Sequence, residues 1–202
     1  MSIDAYPIQL GEVLEIRAGF PFRGAIEEVP DGGTLVVQMK DVDPLAGVAW
    51  MSATRAQLRG RKVPSWLRAG DLLLAARGDR FYSVPVSPPP EPAVCGPHLL
   101  HLRLKAPDQA LPAFVAWQLN QPPAQRRLHA AAEGSSQLSV RVGELAKLVL
   151  ALPPLHQQAQ VLALADAAAR ERQMLTRMLT LREVQLAALA QDIDQTAGLS
   201  GR

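Results

Sequence analysis

The stretch Leu152-Pro-Pro-Leu155-His-Gln-Gln158 divides this 202-residue chain into two regions of different composition. Before it, prolines, glycines and short β-branched runs alternate, as in a globular domain with many turns. After it, glycine and proline are almost absent and apolar residues recur every three to four positions, which predicts one long helix. We therefore expect an α+β fold with a globular mixed α/β domain over residues 1–153, a long helix over 154–194 and a flexible tail over 195–202.

The composition is that of a soluble globular protein, with 48% hydrophobic and 20% charged residues. A single cysteine, Cys95, excludes an intramolecular disulfide framework and favours a reducing compartment. The first residues show neither a basic segment nor a long apolar one, so we expect no signal peptide. Apolar runs elsewhere are too short to span a membrane, and we expect a cytoplasmic protein.

Charge is unevenly distributed along the chain, although the net charge is only +2. Acidic residues dominate positions 1–50, whereas positions 51–80 carry seven basic residues against Asp71 and Asp79. A basic block in a nearly neutral domain is typical of a one-sided phosphate-binding face. The alternative is an ordinary solvated surface.

Periodicity and turn signals predict the elements of the domain. We expect strands over 34–39, 72–76, 81–84, 98–105 and 145–152, and a proline-rich loop over 85–97. Helices are predicted over 113–120 and 124–133, because prolines at 112 and 122–123 suit a first helical turn and Gly134 suits a helix end.

The long helix carries an apolar seam at alternating steps of four and three residues. Eight of its ten positions are apolar, and Arg172 and Arg182 occupy the other two. Such a heptad seam requires a second helix, and at ~1.5 Å per residue the helix would reach roughly 55–60 Å. The alternative is packing against the chain's own domain. The predicted dimerisation residues are Val161, Ala165, Ala168, Leu175, Leu179, Leu186, Leu189 and Ile193.

Catalytic and metal-binding patterns are weak in this sequence. Cys95, His98 and His101 invite a metal interpretation, but the two histidines are three apart in a predicted strand and point to opposite faces. No dinucleotide fingerprint or P-loop is present. His129 and Glu133 beside the Ser135-Ser136 pair form no convincing triad. We expect no catalytic residues, no metal and no cofactor in this chain.

Six stretches carry a family resemblance that covers nearly the whole chain. They are LGEVLEIRAGF at 10–20, VQMKDVD at 37–43, RAGDLLLAARG at 68–78, FVAWQL at 114–119, GSSQLSV at 134–140 and LAKLVLALPPLHQQ at 145–158. In this order and spacing they resemble the specificity (S) subunit of type I restriction-modification systems. Each stretch is modest alone, and the order makes the resemblance specific.

This resemblance implies that the domain is a DNA target-recognition domain and the long helix a spacer. The usual S subunit has two of each, with its spacer helices antiparallel, whereas this sequence has one of each. We therefore expect a half-subunit that forms a homodimer through an antiparallel coiled coil and recognises a bipartite inverted-repeat site. The resemblance also implies methyltransferase (M) subunits that carry S-adenosylmethionine, and a restriction (R) subunit in cleavage.

Residue chemistry suggests which side chains would contact DNA. Directional amides and guanidinium groups suit base edges, and flexible cations suit phosphates. For Arg77 the alternative is a strand-end ion pair with Asp79 or Asp71, and for 135–137 it is a simple turn. The predicted base-reading set is Gln38, Lys40, Arg77, Arg80 and Gln137, supported by Ser135, Ser136 and Tyr82; the predicted phosphate set is Arg55, Arg59, Arg61, Lys62 and Arg126 or Arg127.

Other functions remain compatible with the pattern. A stand-alone DNA-binding regulator or defence adaptor of the same architecture would bind its site tightly without a methyltransferase. A structural coiled-coil adaptor whose domain binds protein would bind without strong salt dependence. An enzyme is the least supported of these alternatives.

Overall fold

The computed structural model describes residues 4–29, 32–134 and 137–197. Two compact units result, Met1–Ala159 and Gln160–Arg202. The strands are β1 Tyr6–Gln9, β2 Leu14–Ala18, β3 Thr34–Val37, β4 Val42–Asp43, β5 Gly47–Val48, β6 Thr54–Ala56, β7 Leu72–Ala75, β8 Ser83–Pro85, β9 Ala93–Cys95, β10 Leu99–Leu104 and β11 Val149–Leu152. The helices are α1 Leu10–Val13, α2 Pro112–Leu119, α3 Pro122–Ala131, α4 Val142–Lys147 and α5 Leu155–Thr196.

Two sheets form the centre of the first unit. The antiparallel sheet has the order β2-β10-β7-β8, and the second sheet has the order β6-β3-β9 with β3 and β9 parallel. Leu35 and Val37 of β3 share a hydrophobic cluster with Leu73 and Ala75 of β7. Val36 points to the opposite face, into a second cluster. Both faces of β3 are therefore buried, as the period-2 alternation of a strand allows.

A close backbone approach fixes the turn between β9 and β10. Gly19, just after β2, packs so tightly that a Cβ there would lie 1.9 Å from the carbonyl oxygen of Gly96. The amide of Phe20 donates to the carbonyl of Cys95 at 2.7 Å, and the amide of Gly19 donates to that of Leu99 at 3.1 Å. Only glycine fits this contact, which holds the β9–β10 turn against the end of β2.

The remaining elements close the domain around these sheets. β1 pairs antiparallel with β11, so that Tyr6 lies opposite Leu152 just before α5. α2 packs on β8, and α1 packs on α4. Both α2 and α3 begin with proline in the first turn, as predicted, because a first-turn residue needs no amide donor.

Two sequence predictions within the domain were wrong, and one strand was missed. The predicted strand over 145–152 is α4 followed by β11, because Leu145 and Leu148 are spaced by one helical turn and the alternation begins only at Val149. The predicted loop over 85–97 contains β9, whose three buried apolar residues pair with β3 at a sheet edge, where neighbouring prolines are tolerated. β1 was not predicted.

α5 confirms the predicted long helix. It has 42 residues and so extends roughly 60 Å. A mixed α/β domain followed by one long helix is the α+β architecture expected from the sequence. Over the described ranges, no helix is long and apolar enough to cross a membrane.

Candidate nucleic-acid interface

Three chain segments meet at one edge of the two central sheets. They follow the ends of β3 and β7 and precede β10. The amide of Gly96 donates to the carbonyl of Val37 at 2.8 Å, and the amide of Ala76 donates to that of His98 at 2.9 Å. These hydrogen bonds place three segments side by side: the residues around Gln38, the residues around Arg77 and the β9–β10 turn.

A depression of about 330 Å³ lies at this junction, lined partly by Gln38, Lys40 and His98. The Gln38 amide nitrogen donates to the Thr54 hydroxyl at 2.9 Å, and Lys40 Nζ lies 3.4 Å from the same oxygen. Two predicted base-reading residues are therefore neighbours and share one anchoring hydroxyl. Lys40 is exposed and Gln38 half-buried.

Arg77 lies against the ring of His98, which lines this depression. Its NH1 is 3.3 and 3.4 Å from the two ring nitrogens. Asp71, one of the partners considered for Arg77, pairs instead with Arg103 at 2.7 Å. The guanidinium of Arg77 thus retains donors that a base edge can use.

A second depression, of about 600 Å³, adjoins the first, since Ala25 lines both. Among the described residues, four cations and one acid, Glu27, line it. The predicted phosphate contacts at 59, 61 and 62 therefore lie together, and Lys62 Nζ is fixed 3.3 Å from the Gly19 carbonyl. Such an excess of positive charge attracts phosphates. The four cations are Arg23, Arg59, Arg61 and Lys62.

Arg55 is separated from this group by its ion pair. Its guanidinium donates to both carboxylate oxygens of Glu91, at 2.7 and 2.5 Å. Hydrogen bonding to Glu91 raises the pKa of Arg55 and lowers that of Glu91. Because Glu91 already offsets its charge, Arg55 is a weaker candidate for a phosphate contact than its neighbours at 59 and 61.

The loop after Arg77 runs beside the segment that ends at Ser139. Gly78 donates its amide to the Leu138 carbonyl at 3.0 Å, and Arg77 and Ser139 form an isolated bridge. Arg80 and Gln137, both exposed, therefore belong to the same region of the surface. Ser135 and Ser136, also predicted to support base reading, lie outside the described residues.

Tyr82, Arg126 and Arg127 have different surroundings. The Tyr82 hydroxyl lies 3.3 and 3.2 Å from the carbonyls of Met39 and Val42, and burial raises its pKa. Arg127 donates to the Val149 carbonyl at 2.6 Å and so links α3 to β11, whereas Arg126 is exposed. Tyr82 and Arg127 hold elements together, and their DNA contacts stay predictions, as do those of the other chosen residues.

A network of charged side chains is centred on the buried Asp71. Asp71 accepts from His101 Nε2 at 2.8 Å and from Arg103 at 2.7 Å, while the Ser65 hydroxyl lies 2.9 Å from His101 Nδ1. Burial raises the pKa of Asp71, but hydrogen bonds from Arg103 and His101 outweigh it and lower the pKa to about 2. The network ties the start of β7 to β10.

The environments of Cys95 and of the two histidines do not favour thiol or metal chemistry. Burial raises the pKa of Cys95 to about 12, so its thiol is a core group rather than a nucleophile. Across the described ranges, histidine, cysteine, aspartate and glutamate form no group of three that could hold a metal ion. His98 and His101 occupy different environments, the first exposed in a turn and the second buried in β10.

Sequence reasoning missed two members of this surface. Arg23 was not among the predicted contacts, and His98 was considered only as a metal ligand. The signal for His98 was its position after Gly96-Pro97, which predicts a turn between two strands. For Arg23 no local signal exists, because the folding of the 21–29 segment toward residues 56–62 creates its neighbourhood.

The predicted dimerisation residues all lie on α5. Val161 and Ala165 are half-buried, and Ala168 is exposed. The larger seam residues from Leu175 to Ile193 are 54–67% exposed. Taken as a unit, the helix therefore presents an uncovered apolar seam. A second group of exposed apolar residues lies beside it, namely Leu164, Met174, Met178 and Leu181.

No protein-family model matches this chain, and neither does any curated protein. Solved structures do. The HsdS subunit from Thermoanaerobacter tengcongensis matches with a TM-score of 0.65 at 21% identity, over 97% of this chain and 45% of that one. A chain of a type I R-M system, solved to explain complex assembly and conformational transition, matches at 0.68 and 20% identity, over 96% of this chain and 45% of that one.

The S subunit of the type I restriction-modification system of M. genitalium matches with a TM-score of 0.53 at 15% identity, over 82% of this chain and 40% of that one. This chain therefore spans less than half the length of each of these structures. Similarity at this level of identity establishes the architecture, which the resemblance in sequence had implied. The chain has the fold of type I restriction-modification S subunits over a single domain and a single long helix.

Proposed function

We propose that this chain is the DNA-recognition subunit of a type I restriction-modification complex and is itself non-catalytic. The carrying observation is the electropositive surface formed by the two adjoining depressions, on a domain with the S-subunit fold. Arg59, Arg61 and Lys62 supply phosphate contacts, and Arg77 with Gln38 supplies directional donors for base edges. Positioning and specificity are thus assigned to adjacent groups of side chains.

The long helix acts as a spacer between two recognition domains in this proposal. A second copy of the chain supplies the partner helix, packed antiparallel along the seam that contains Leu175 and Leu179. Two-fold symmetry then places the domains at opposite ends and matches an inverted-repeat site with an unread spacer. The uncovered seam and the match to less than half of longer S subunits support this arrangement.

Catalysis belongs to partner subunits under this proposal. Methyltransferase subunits would carry S-adenosylmethionine and modify adenine, and a restriction subunit would cleave. We assign their docking to the second apolar face of α5, around Met178 and Leu181, and to its first turn. In that turn the Gln158 side chain is buried and bonded inside the domain, which leaves the exposed His156 as a contact.

A salt titration of DNA binding tests this function. The chain is co-purified with the products of neighbouring genes, and affinity for double-stranded DNA is measured over a range of salt. Removing both Arg59 and Arg61 should reduce the slope of log K against log salt by about 2, because each phosphate contact contributes ~0.9. Arg170→Ala, at an exposed position of α5 outside the predicted DNA contacts, is the control and should leave the slope almost unchanged.

Each other outcome points to a different function. Binding that ignores salt would contradict DNA recognition and favour a protein-binding adaptor. Tight sequence-specific binding by the purified chain alone, with no methyltransferase recovered, would favour a stand-alone regulator.

A further inference from the structure

His98 has a backbone conformation that a side chain rarely adopts. Its φ is +70°, and among the described residues it is the only non-glycine residue with a positive φ. Glycine occupies this region without steric cost, whereas a Cβ there is unfavourable. Hydrogen bonds from Ala76 and between Gly96 and Val37 hold the turn in place. The strain persists at an exposed position, which is characteristic of functional sites.

The imidazole of His98 restrains a guanidinium. Arg77 NH1 lies 3.3 and 3.4 Å from its two nitrogens, so one end of the planar fork rests against the ring. Arginine has five N–H donors, and this contact leaves most of them available. The long side chain of Arg77, two residues after β7, is thereby held in a narrower range of orientations.

The residues around His98 favour an electronegative ligand. His98 lines the depression that Gln38 and Lys40 also line, and its lining in the described structure includes no acidic residue. Guanine presents two acceptors, N7 and O6, in the major groove, and a guanidinium fork matches both at once. A guanidinium group that is already oriented loses less conformational entropy on binding than a mobile one.

We propose that His98 is a positioning residue that orients Arg77 to recognise guanine at one position of the DNA target. This inference rests on the proposed function and adds a residue pair that determines specificity. The left-handed backbone at His98 is what directs its ring toward Arg77. His98 itself acts through Arg77 and needs no hydrogen bond to the base.

Mapping methylated adenines tests the pair in its complete complex. Genomic DNA is sequenced from source cells whose gene encodes the wild-type chain, His98→Gly or Arg77→Lys. His98→Gly keeps the backbone conformation, so its melting temperature should equal or exceed that of the wild type. Arg77→Lys keeps the charge and removes the fork. Both should raise methylation of sites that differ from the target at one guanine by about tenfold or more.

Other results overturn the inference. An unchanged target sequence in His98→Gly, a uniform loss of methylation at all sites, or relaxation at different positions in the two variants would each contradict a positioning role. Arg170→Ala should leave the target unchanged. Absence of any methylation that depends on the wild-type chain would instead contradict the proposed function, and the pair with it.

Discussion

Asp71 shows how a single buried residue can link two strands of the domain. Its carboxylate accepts from the Arg68 amide, from His101 and twice from Arg103, all within 2.7–2.8 Å. A buried carboxylate is costly unless such donors satisfy it. Because Asp71 directly precedes β7 and Arg77 follows its end, the network fixes the strand next to the proposed base-reading side chain.

Replacing Asp71 with Asn should destabilise the domain by about 3 kcal/mol near neutral pH, because His101 and Arg103 lose their anionic partner. The folded pKa, about 2, lies below the ordinary value of 3.8. The ionised group therefore adds stability above pH ~4, and this part, roughly 2 kcal/mol, is lost as the pH falls through 2. Denaturant unfolding of both proteins from pH 7 to pH 2 checks this.

The difference between the two proteins should narrow over that acid range. A difference that stays constant with pH would show that the charge of Asp71 contributes little. Ser139→Ala, outside the network, is a suitable control variant.

At the residue scale, the sequence predicted that the surface is basic, but it did not predict which individual residues form it. The basic block over 51–80 is visible in the sequence, and Arg59, Arg61 and Lys62 do lie together. What the sequence does not show is which cations are neutralised, since Glu91 is 36 positions from Arg55. The strained His98 was equally hidden, because a positive φ depends on how its turn is held.

At the scale of elements, the start of α5 is fixed by one buried side chain. Gln158 is 0% exposed. Its amide oxygen accepts from the Leu111 amide at 2.8 Å, and its nitrogen donates to the carbonyls of Pro153 and Gln109 at 2.7 and 3.1 Å. The first turn of the helix is thereby attached to the segment that begins α2.

Gln158→Ala should lower the free energy of unfolding by about 2–3 kcal/mol, because it leaves backbone groups of three residues without partners. Gln160→Ala, at an exposed position two residues later, should change it by less than about 0.5 kcal/mol. Chemical denaturation monitored by circular dichroism measures both. Equal effects of the two substitutions would contradict an anchoring role for Gln158.

Substitutions on the two apolar faces of α5 should affect two different associations, namely self-association and binding of the methyltransferase partner. Leu179→Glu puts a charge into the proposed seam and should weaken self-association by a hundredfold or more, equivalent to ~3 kcal/mol. Leu181→Glu, on the adjacent face, should leave a particle of twice the 21.8 kDa chain mass and reduce recovery of the methyltransferase partner. Light scattering at micromolar concentration and co-purification give the two readouts.

A stable monomer for the wild-type chain would refute pairing along this seam. If both substitutions acted identically, the assignment of the two faces to different partners would be wrong.

Elements with a strong periodic pattern were predictable, and those defined by tertiary pairing were not. α5, α2 and α3 follow from apolar spacing and first-turn prolines. β9 and β1 are short, and their strand character comes from pairing with β3 and β11, far away in the sequence. α4 has only six residues, too few for its period to stand out from the strand that follows.

At the scale of the whole molecule, a domain with a cluster of cations is followed by a helix with an uncovered apolar seam. In the proposed function, the domain supplies contacts to phosphates and bases on one half-site. The helix, roughly 60 Å long, would set the separation between two such domains when a second chain pairs with it. The two-fold symmetry of the proposed pair would then match an inverted repeat in the DNA site.

Comparison of adenine methylation in cells with and without this gene tests that account most directly. We predict that the intact cells methylate a two-part sequence whose halves are inverted repeats across an unread spacer, and that this methylation disappears when the gene is deleted. Methylation that persists unchanged after deletion, or a gene-dependent target without two-fold symmetry, would contradict recognition by paired copies of this chain.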